Sequence, residues 1–276
     1  MPAEPYDTLI TSSHCFARCF PGRAARHFSY VHAPMRYAWS SEVDPRVHGR
    51  LFAPARALLR SVDRRTTRHV THFAANSTAT QARIARFYGR DSTVIHPPVE
   101  VSRLNPPRSR EGGFLLGFSR WVGYKRLDLV VEVGELLGMA VVLAGRGPEH
   151  HLLAARADRA TVPVHLVESP TDEEVVALYQ ACELLVFPAV EDFGIIPVEA
   201  QACGAKVVAL DLGGTRDSVR HGETGVLATS QTAAALAAAT RDCLALGDRT
   251  DSCVDNAARF SVPRFEREMR SWLDLD

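Results

Sequence analysis

From residue 114 onward, short apolar runs alternate with stretches of helical periodicity. "FLLGFS" (114–119) leads to a helix over about 126–137, and "AVVLAG" (140–145) to one near 149–159. "VHLVE" (164–168) leads to a helix near 172–182, "LLVFP" (184–188) to the stretch "AVEDFGIIPVE" (189–199), and "KVVAL" (206–210) follows. Each run is apolar on both faces, as strands buried in a parallel sheet are. Strand–helix alternation with short connections predicts right-handed βαβ units and a doubly wound sheet. The tail from 231 is Ala-rich and helical, and "SVPRFEREMRSW" predicts a last helix begun by Ser261 and Pro263.

Before residue 106 the same alternation is thinner. "TLITSS" (8–13), "HFSYVH" (27–32), "VTHFAA" (70–75) and "STVIH" (92–96) read as strands. Pro97, Pro98, Pro106, Pro107, Gly112 and Gly113 then interrupt any ladder, because proline fixes φ and removes a donor. We take this passage as a linker. The division expected is a partial N-terminal domain over 1–105, a second domain over 106–260, and a C-terminal helix over 261–276.

Composition narrows the class little further. Lys+Arg and Asp+Glu both number 32, so the net charge is zero and gives no case for a nucleic-acid partner. No apolar run approaches the ~20 residues of a membrane span, and the start "MPAEPYDTLI" does not resemble a signal peptide. A cytoplasmic location is the expectation. Six cysteines without a CxxC pair read as reduced thiols. Cys15, Cys19, His27 and His32 lie close in sequence, yet their spacing fits no common zinc site, so no metal is expected.

The chemistry concentrates at strand ends, where open α/β sheets bind ligands. After "LLVFP" come Glu191 in a loop, a turn at Gly194, and a helix that Pro197 suits as its first residue, with Glu199 in the first turn. Backbone N–H groups there could face a diphosphate. Glu199 could accept hydrogen bonds from a ribose diol, and Glu191 could hold a second polyol. Spacing alone favours Glu199 serving the helix dipole, worth ~0.3–1 kcal/mol, with Glu191 solvated. After "FLLGFS", Arg120, Lys125 and Arg126 supply cations at another strand end.

These residues carry a resemblance. Segment 114–227 resembles the donor-binding domain of retaining glycosyltransferases of the GT-B architecture, in the large family four. Its marks are Arg120–x4–Lys125, Glu191–x7–Glu199 with "FG" between, and "GGTRDSVRHGETGVL" (213–227). "YVHAPMRYAWS" (30–40) and "AANSTATQARIARFYGRDSTVIHPPVE" (74–100) are similar to stretches of bacterial mannosyltransferase-like members. The resemblance implies two Rossmann-type domains with parallel sheets. It implies transfer of a sugar from a nucleotide diphosphate sugar, with GDP-mannose suggested, without an obligatory metal. By resemblance Glu191 contacts donor-sugar hydroxyls, the backbone at Phe193, Gly194 and Ile195 lies near sugar and phosphate, and Glu199 binds the ribose. Arg120 and Lys125 would stabilise the diphosphate leaving group. His32 would face the donor sugar in a supporting polar role, and Arg36 and Tyr37 would line the acceptor side.

The chain departs from the family in starting late, after only a few residues before "YDTLITSSHCFARCF". A truncated start, a partner chain supplying the missing strands, or a nucleotide-sugar-binding subunit without turnover would each account for it, and the exposed sheet edge would favour a homo- or hetero-oligomer. Two other readings remain. The Arg-rich segment "RVHGRLFAPARALLRSVDRRTTR" (46–68) is either a solvated helix face or a surface meeting an anionic membrane or a phosphate-bearing acceptor. "AVVLAGRGPEH" with Glu168 at the next strand end would suit a dinucleotide-dependent oxidoreductase, except that His150 stands where the third glycine belongs.

Overall fold

The structure, a computed structural model, describes residues 6–13, 17, 24–39, 53–107 and 112–275. The chain divides into two compact units, residues 1–96 with 267–276 and residues 97–266.

The first unit holds a four-stranded parallel sheet in the order β1-β2-β3-β4, formed by β1 (Tyr6–Ser13), β2 (Ala24–Val31), β3 (His72–Ala75) and β4 (Thr93–Val94). Its helices are α1 (Arg36–Trp39), α2 (Ala53–Thr66) and α3 (Thr78–Tyr88). Val31, Val70, Phe73, Ala75 and Ile84 form its core. Ser77 caps α3 by accepting from the Thr80 N–H, and Gly89 closes it in the left-handed region at φ 63°. Asp63, buried on α2, accepts from Trp39 Nε1 at 2.8 Å and from the Tyr88 hydroxyl at 2.7 Å.

The second unit is built from β5 (Phe114–Phe118), α4 (Asp128–Leu137), β6 (Ala140–Gly145), α5 (His150–Ala157), β7 (Val164–Glu168), α6 (Asp172–Ala181) and β8 (Leu184–Phe187). It continues through α7 (Ile195–Ala202), β9 (Lys206–Leu210), α8 (Thr215–Ser218), β10 (Gly225–Ala228), α9 (Ala233–Ala245) and α10 (Thr250–Ala258). A last helix, α11 (Val262–Trp272), ends among residues of the first unit, where Trp272 meets Phe28 edge-on at 5.1 Å. The six strands are parallel, in the order β10-β9-β8-β5-β6-β7. Apolar side chains on both faces, such as Leu115 and Leu116 or Val207 and Val208, build two separate cores under the flanking helices. The α/β class with parallel sheets is therefore the one that the apolar runs predicted.

Two details differ from the sequence expectation. β10 was not anticipated, because "GVLA" is too short to stand out. The helix after β8 begins at Ile195, two residues before Pro197. Gly194 takes φ 89° and lets the chain turn into the helix early. Pro197 is tolerated as the third helical residue because a helix's first four N–H groups have no intrahelical acceptor. Glu199 consequently stands in the second turn, where a dipole role is weak.

Residues 97–104 pack within the second unit. The Val99 N–H donates to the Phe260 carbonyl at 2.8 Å, and Val99, Phe193, Val198, Ala202, Ala257 and Phe260 share one apolar cluster.

Candidate active site

The strand order of the second sheet reverses at its middle. From β5 the chain steps outward through β6 and β7, then returns to β8 on the other side of β5 and steps outward again through β9 and β10. At such a reversal the loops leaving the two central strands diverge and leave a crevice beyond their carboxyl ends. The loop after β5 carries Arg120 and Lys125, and the loop after β8 carries Glu191.

The crevice brings these side chains together. Lys125 and Glu191 form an ion pair, with the lysine side chain only 6% exposed and the carboxylate 22%. The Lys125 ammonium also lies 5.1 Å from the Tyr124 ring centroid and 5.9 Å from that of Phe187, a setting that stabilises a cation. Arg120 is exposed, and its Nη2 donates to the Tyr124 hydroxyl at 2.7 Å. Arg126, the third cation expected there, is diverted. It sits in the left-handed region at φ 51° and donates to both carboxylate oxygens of Asp128.

The Glu191 loop is clamped from below. The Gly214 N–H donates to the Glu191 carbonyl at 3.0 Å. A Cβ on Gly214 would collide with the Phe193 Cα and the Asp192 carbonyl, and Gly213 takes φ 82°. The glycine pair thus lets two backbones touch, which any side chain would prevent. Phe193 points away from the crevice into the core, edge-on to Phe260 at 5.3 Å. Its backbone, with Gly194 and Ile195, remains at the start of α7, where the first N–H groups of a helix have no intrahelical acceptor.

Glu199 is half-buried. Its Oε2 accepts from the Tyr179 hydroxyl at 3.0 Å. Burial raises the Glu199 pKa, the Tyr179 bond works against that rise, and the charge of Asp172 adds to it. The Tyr179 ring stands edge-on to Phe118 at 5.8 Å. Phe118 and Asp172 in turn line a cleft of about 320 Å³ with Ser119, Arg120, Arg146 and Ser169. Glu199, its tyrosine, the cleft and Arg120 therefore form one neighbourhood. Sequence reasoning missed Tyr179 and the cleft. Tyr179 falls on the same periodic face as Val175 and Val176, so it reads as core, and cleft residues from three separate strand–helix connections share no sequence signal.

The remaining expectations fall elsewhere. His32 follows β2 in the first unit, with Nε2 2.9 Å from Ser12 Oγ. Arg36 and Tyr37 open α1, and their side chains lie outside the described residues, as do Cys15 and Cys19. His27 Nε2 is 3.0 Å from Thr11 Oγ1. Gly145, at φ 139°, abuts the Ser119 carbonyl, and Glu168 faces His150 at 3.6 Å. That glycine run serves a close backbone approach. Arg60 and Arg64 of the Arg-rich segment stack on Trp39 at 5.3 and 4.9 Å; residues 46–52 lie outside the described residues. No described helix is long and apolar enough to cross a membrane.

Comparison with known proteins identifies the family and the fold. The profile of the family "Glycosyl transferases group 1" matches residues 105–260, more than half of the chain. A D-inositol 3-phosphate glycosyltransferase 2 of Catenulispora acidiphila is 29% identical over 221 residues, covering 67% of this chain and 52% of that protein. A D-inositol 3-phosphate glycosyltransferase of Thermobispora bispora is 34% identical over 145 residues, covering 48% and 34%. The chain thus spans about half, or less, of the curated relatives it matches. Among solved structures, Anabaena Alr3699/HepE in complex with UDP superposes with a TM-score of 0.78 at 21% identity, covering 98% of this chain and 79% of that one. Sucrose-phosphate synthase from Thermosynechococcus elongatus gives 0.74 at 19%, covering 98% and 73%. The chain belongs to the group 1 glycosyl transferases, with the α/β, parallel-sheet fold of GT-B enzymes.

Proposed function

We propose that this member of the group 1 glycosyl transferases binds a nucleotide diphosphate sugar in the second unit and transfers its sugar to an acceptor hydroxyl with retention of configuration. The observation that carries the reading is the convergence of Arg120 and Lys125 after β5 with Glu191 after β8, beside the cleft next to Glu199.

Each group has a defined task in this reading. Glu199 accepts from the ribose hydroxyls, and the N–H groups at the start of α7 face a phosphate. Glu191 accepts from hydroxyls of the donor sugar. As the bond from the anomeric carbon to the diphosphate oxygen breaks, its electron pair stays on that oxygen, where Lys125 and Arg120 offset the growing charge. The acceptor oxygen bonds to the anomeric carbon on the same face and gives its proton to the leaving diphosphate. No side-chain nucleophile and no metal take part. Removing one such charge-stabilising donor typically lowers kcat by ~10²–10³, the loss expected for Lys125→Ala. His32 belongs to the transfer step rather than to nucleotide binding, and Arg36 and Tyr37 to the acceptor side.

Neighbouring structures in complex with UDP and UDP-glucose support a uridine donor, whereas the sequence resemblance suggests GDP-mannose. The curated relatives make D-inositol 3-phosphate the first acceptor to try. The deciding experiment is the melting temperature of the chain against UDP-, GDP-, ADP- and TDP-sugars and NAD(H). A ligand at ~100 times its Kd adds about 2.7 kcal/mol. A rise with one sugar-nucleotide class names the base, and transfer is then assayed with that donor. Donor binding without transfer to any acceptor would leave a binding subunit. A rise with NAD(H) alone would overturn the reading.

A further inference from the structure

The proposed nucleotide site leaves one buried polar side chain without a task. Tyr179 is 1% exposed, on the inner face of α6. Its hydroxyl donates to Glu199 Oε2 at 3.0 Å, reaching from one helix to the next. Burial foremost, and then the Glu199 charge, push the phenol well above its ordinary pKa, so at working pH it is always a donor. The ring is held by its edge-on contact with Phe118. The helix that carries it is pinned by a capping box, in which Thr171 and Glu174 satisfy each other's backbone N–H groups.

A carboxylate on a flexible side chain can present its oxygens in many orientations. An ionised carboxylate has about four acceptor positions. With one taken by a fixed donor, the rest point in directions set by the protein. We propose, resting on the reading that Glu199 binds the ribose, that Tyr179 is a positioning residue that holds the Glu199 carboxylate in the one orientation matching the ribose diol. Tyr179 makes no contact with the nucleotide in this account and acts through Glu199 alone. A merely structural tyrosine would weaken binding of any nucleotide equally, whereas a positioning tyrosine weakens only the part of binding that depends on the ribose hydroxyls.

The test measures Kd by calorimetry for UDP and 2′,3′-dideoxy-UDP, with GDP, ADP and their dideoxy forms in parallel, on the wild-type chain and on Tyr179→Phe. Wild type should favour the ribonucleotide. Tyr179→Phe should lose about tenfold for the ribonucleotide, the scale of one hydrogen bond to a charged group, and less than about twofold for the dideoxy form. Equal loss for both forms, or full retention of the preference, overturns the positioning role. Equal affinity of wild type for a ribonucleotide and its dideoxy form, or no binding of UDP, GDP or ADP, overturns the ribose reading and this inference with it. Should Tyr179→Phe fail to melt cooperatively, the question passes to the wild-type chain with Cζ-labelled tyrosine. The Tyr179 resonance must then move when the ribonucleotide binds and stay when the dideoxy form binds; a resonance that ignores the ribonucleotide overturns the inference.

Discussion

Lys125 and Glu191, one on each loop that leaves the two central strands of the second sheet, meet as an ion pair at the point where strand order reverses. The pair is asymmetric, since the ammonium is almost wholly buried and the carboxylate keeps a face to solvent. A cation taken out of water depends more on its counter-charge than one that can hydrate.

Glu191→Ala should therefore destabilise the unliganded chain more than Lys125→Ala, since removing the counter-charge of a buried ion costs ~3–5 kcal/mol. Urea unfolding at neutral pH measures both. If Lys125→Ala is the worse of the two, the burial asymmetry does not control the pair.

The two carboxylates should separate in function. Glu199→Ala weakens nucleotide binding, whereas Glu191→Ala impairs transfer more than it weakens nucleotide binding. Calorimetry with the nucleotide and a transfer assay with the matching sugar donor distinguish the two. Unchanged binding and activity in both variants would remove the site assignment.

The pH dependence follows from Glu199, whose pKa burial raises, against the Tyr179 hydrogen bond and with help from Asp172 at the start of α6. A raised folded-state pKa means that the folded chain prefers the neutral acid. Stability from this group is then fully present below the ordinary carboxylate pKa of ~4.3 and is lost as pH rises through the folded value. Glu199→Gln should thus raise Tm at pH 7 and have little effect near pH 4. Ribose binding needs the ionised carboxylate, so nucleotide affinity of wild type should fall on acidification at a pH above the ordinary glutamate range. Glu199→Gln should show no such fall.

Gly214→Ala tests the clamp beneath Glu191. The added methyl meets the Phe193 Cα and the Asp192 carbonyl, both of them backbone or backbone-bound atoms that cannot swing aside. Overpacking of this kind costs ~1–3 kcal/mol, and it displaces the loop that carries Glu191. Transfer should fall by more than the stability loss explains, with nucleotide affinity at Glu199 largely kept.

A buried network holds α7 from its other side. Asn256 Nδ2 donates to Gln201 Oε1 at 2.6 Å and to the Ser218 carbonyl at 2.9 Å, and Gln201 Nε2 donates to the Pro197 carbonyl at 2.8 Å. Asn256→Ala takes the Nδ2 donor from the buried Gln201 Oε1, while the Ser218 carbonyl keeps its bond from Gln201 Nε2 at 2.8 Å; the lost partner costs ~1–3 kcal/mol. The urea midpoint should drop accordingly, and a change within about 0.5 kcal/mol, the range of ordinary surface substitutions, would show that the network does not brace the helix.

Much of this molecule was determined by its sequence. Apolar runs such as "AVVLAG" and "KVVAL" became β6 and β9 over the same residues, because a strand buried on both faces must be apolar at every position. That Arg120, Lys125 and Glu191 fall on loops at strand ends was legible as well, because each loop follows directly on an apolar run. Where local information stopped, tertiary structure decided. Arg126 looks equivalent to its neighbours in sequence, yet the left-handed turn before α4 hands it to Asp128. Pro197 reads as a helix start, yet Gly194 lets α7 begin earlier and carries Glu199 into the second turn. The Lys125–Glu191 pair exists because β8 returns to lie beside β5. The Tyr179–Glu199 bond likewise joins two successive helices on that sheet. Strand order is set by long-range packing of strands and helices whose sequence periods are alike, so periodicity shows which strands form and says nothing of which lie side by side.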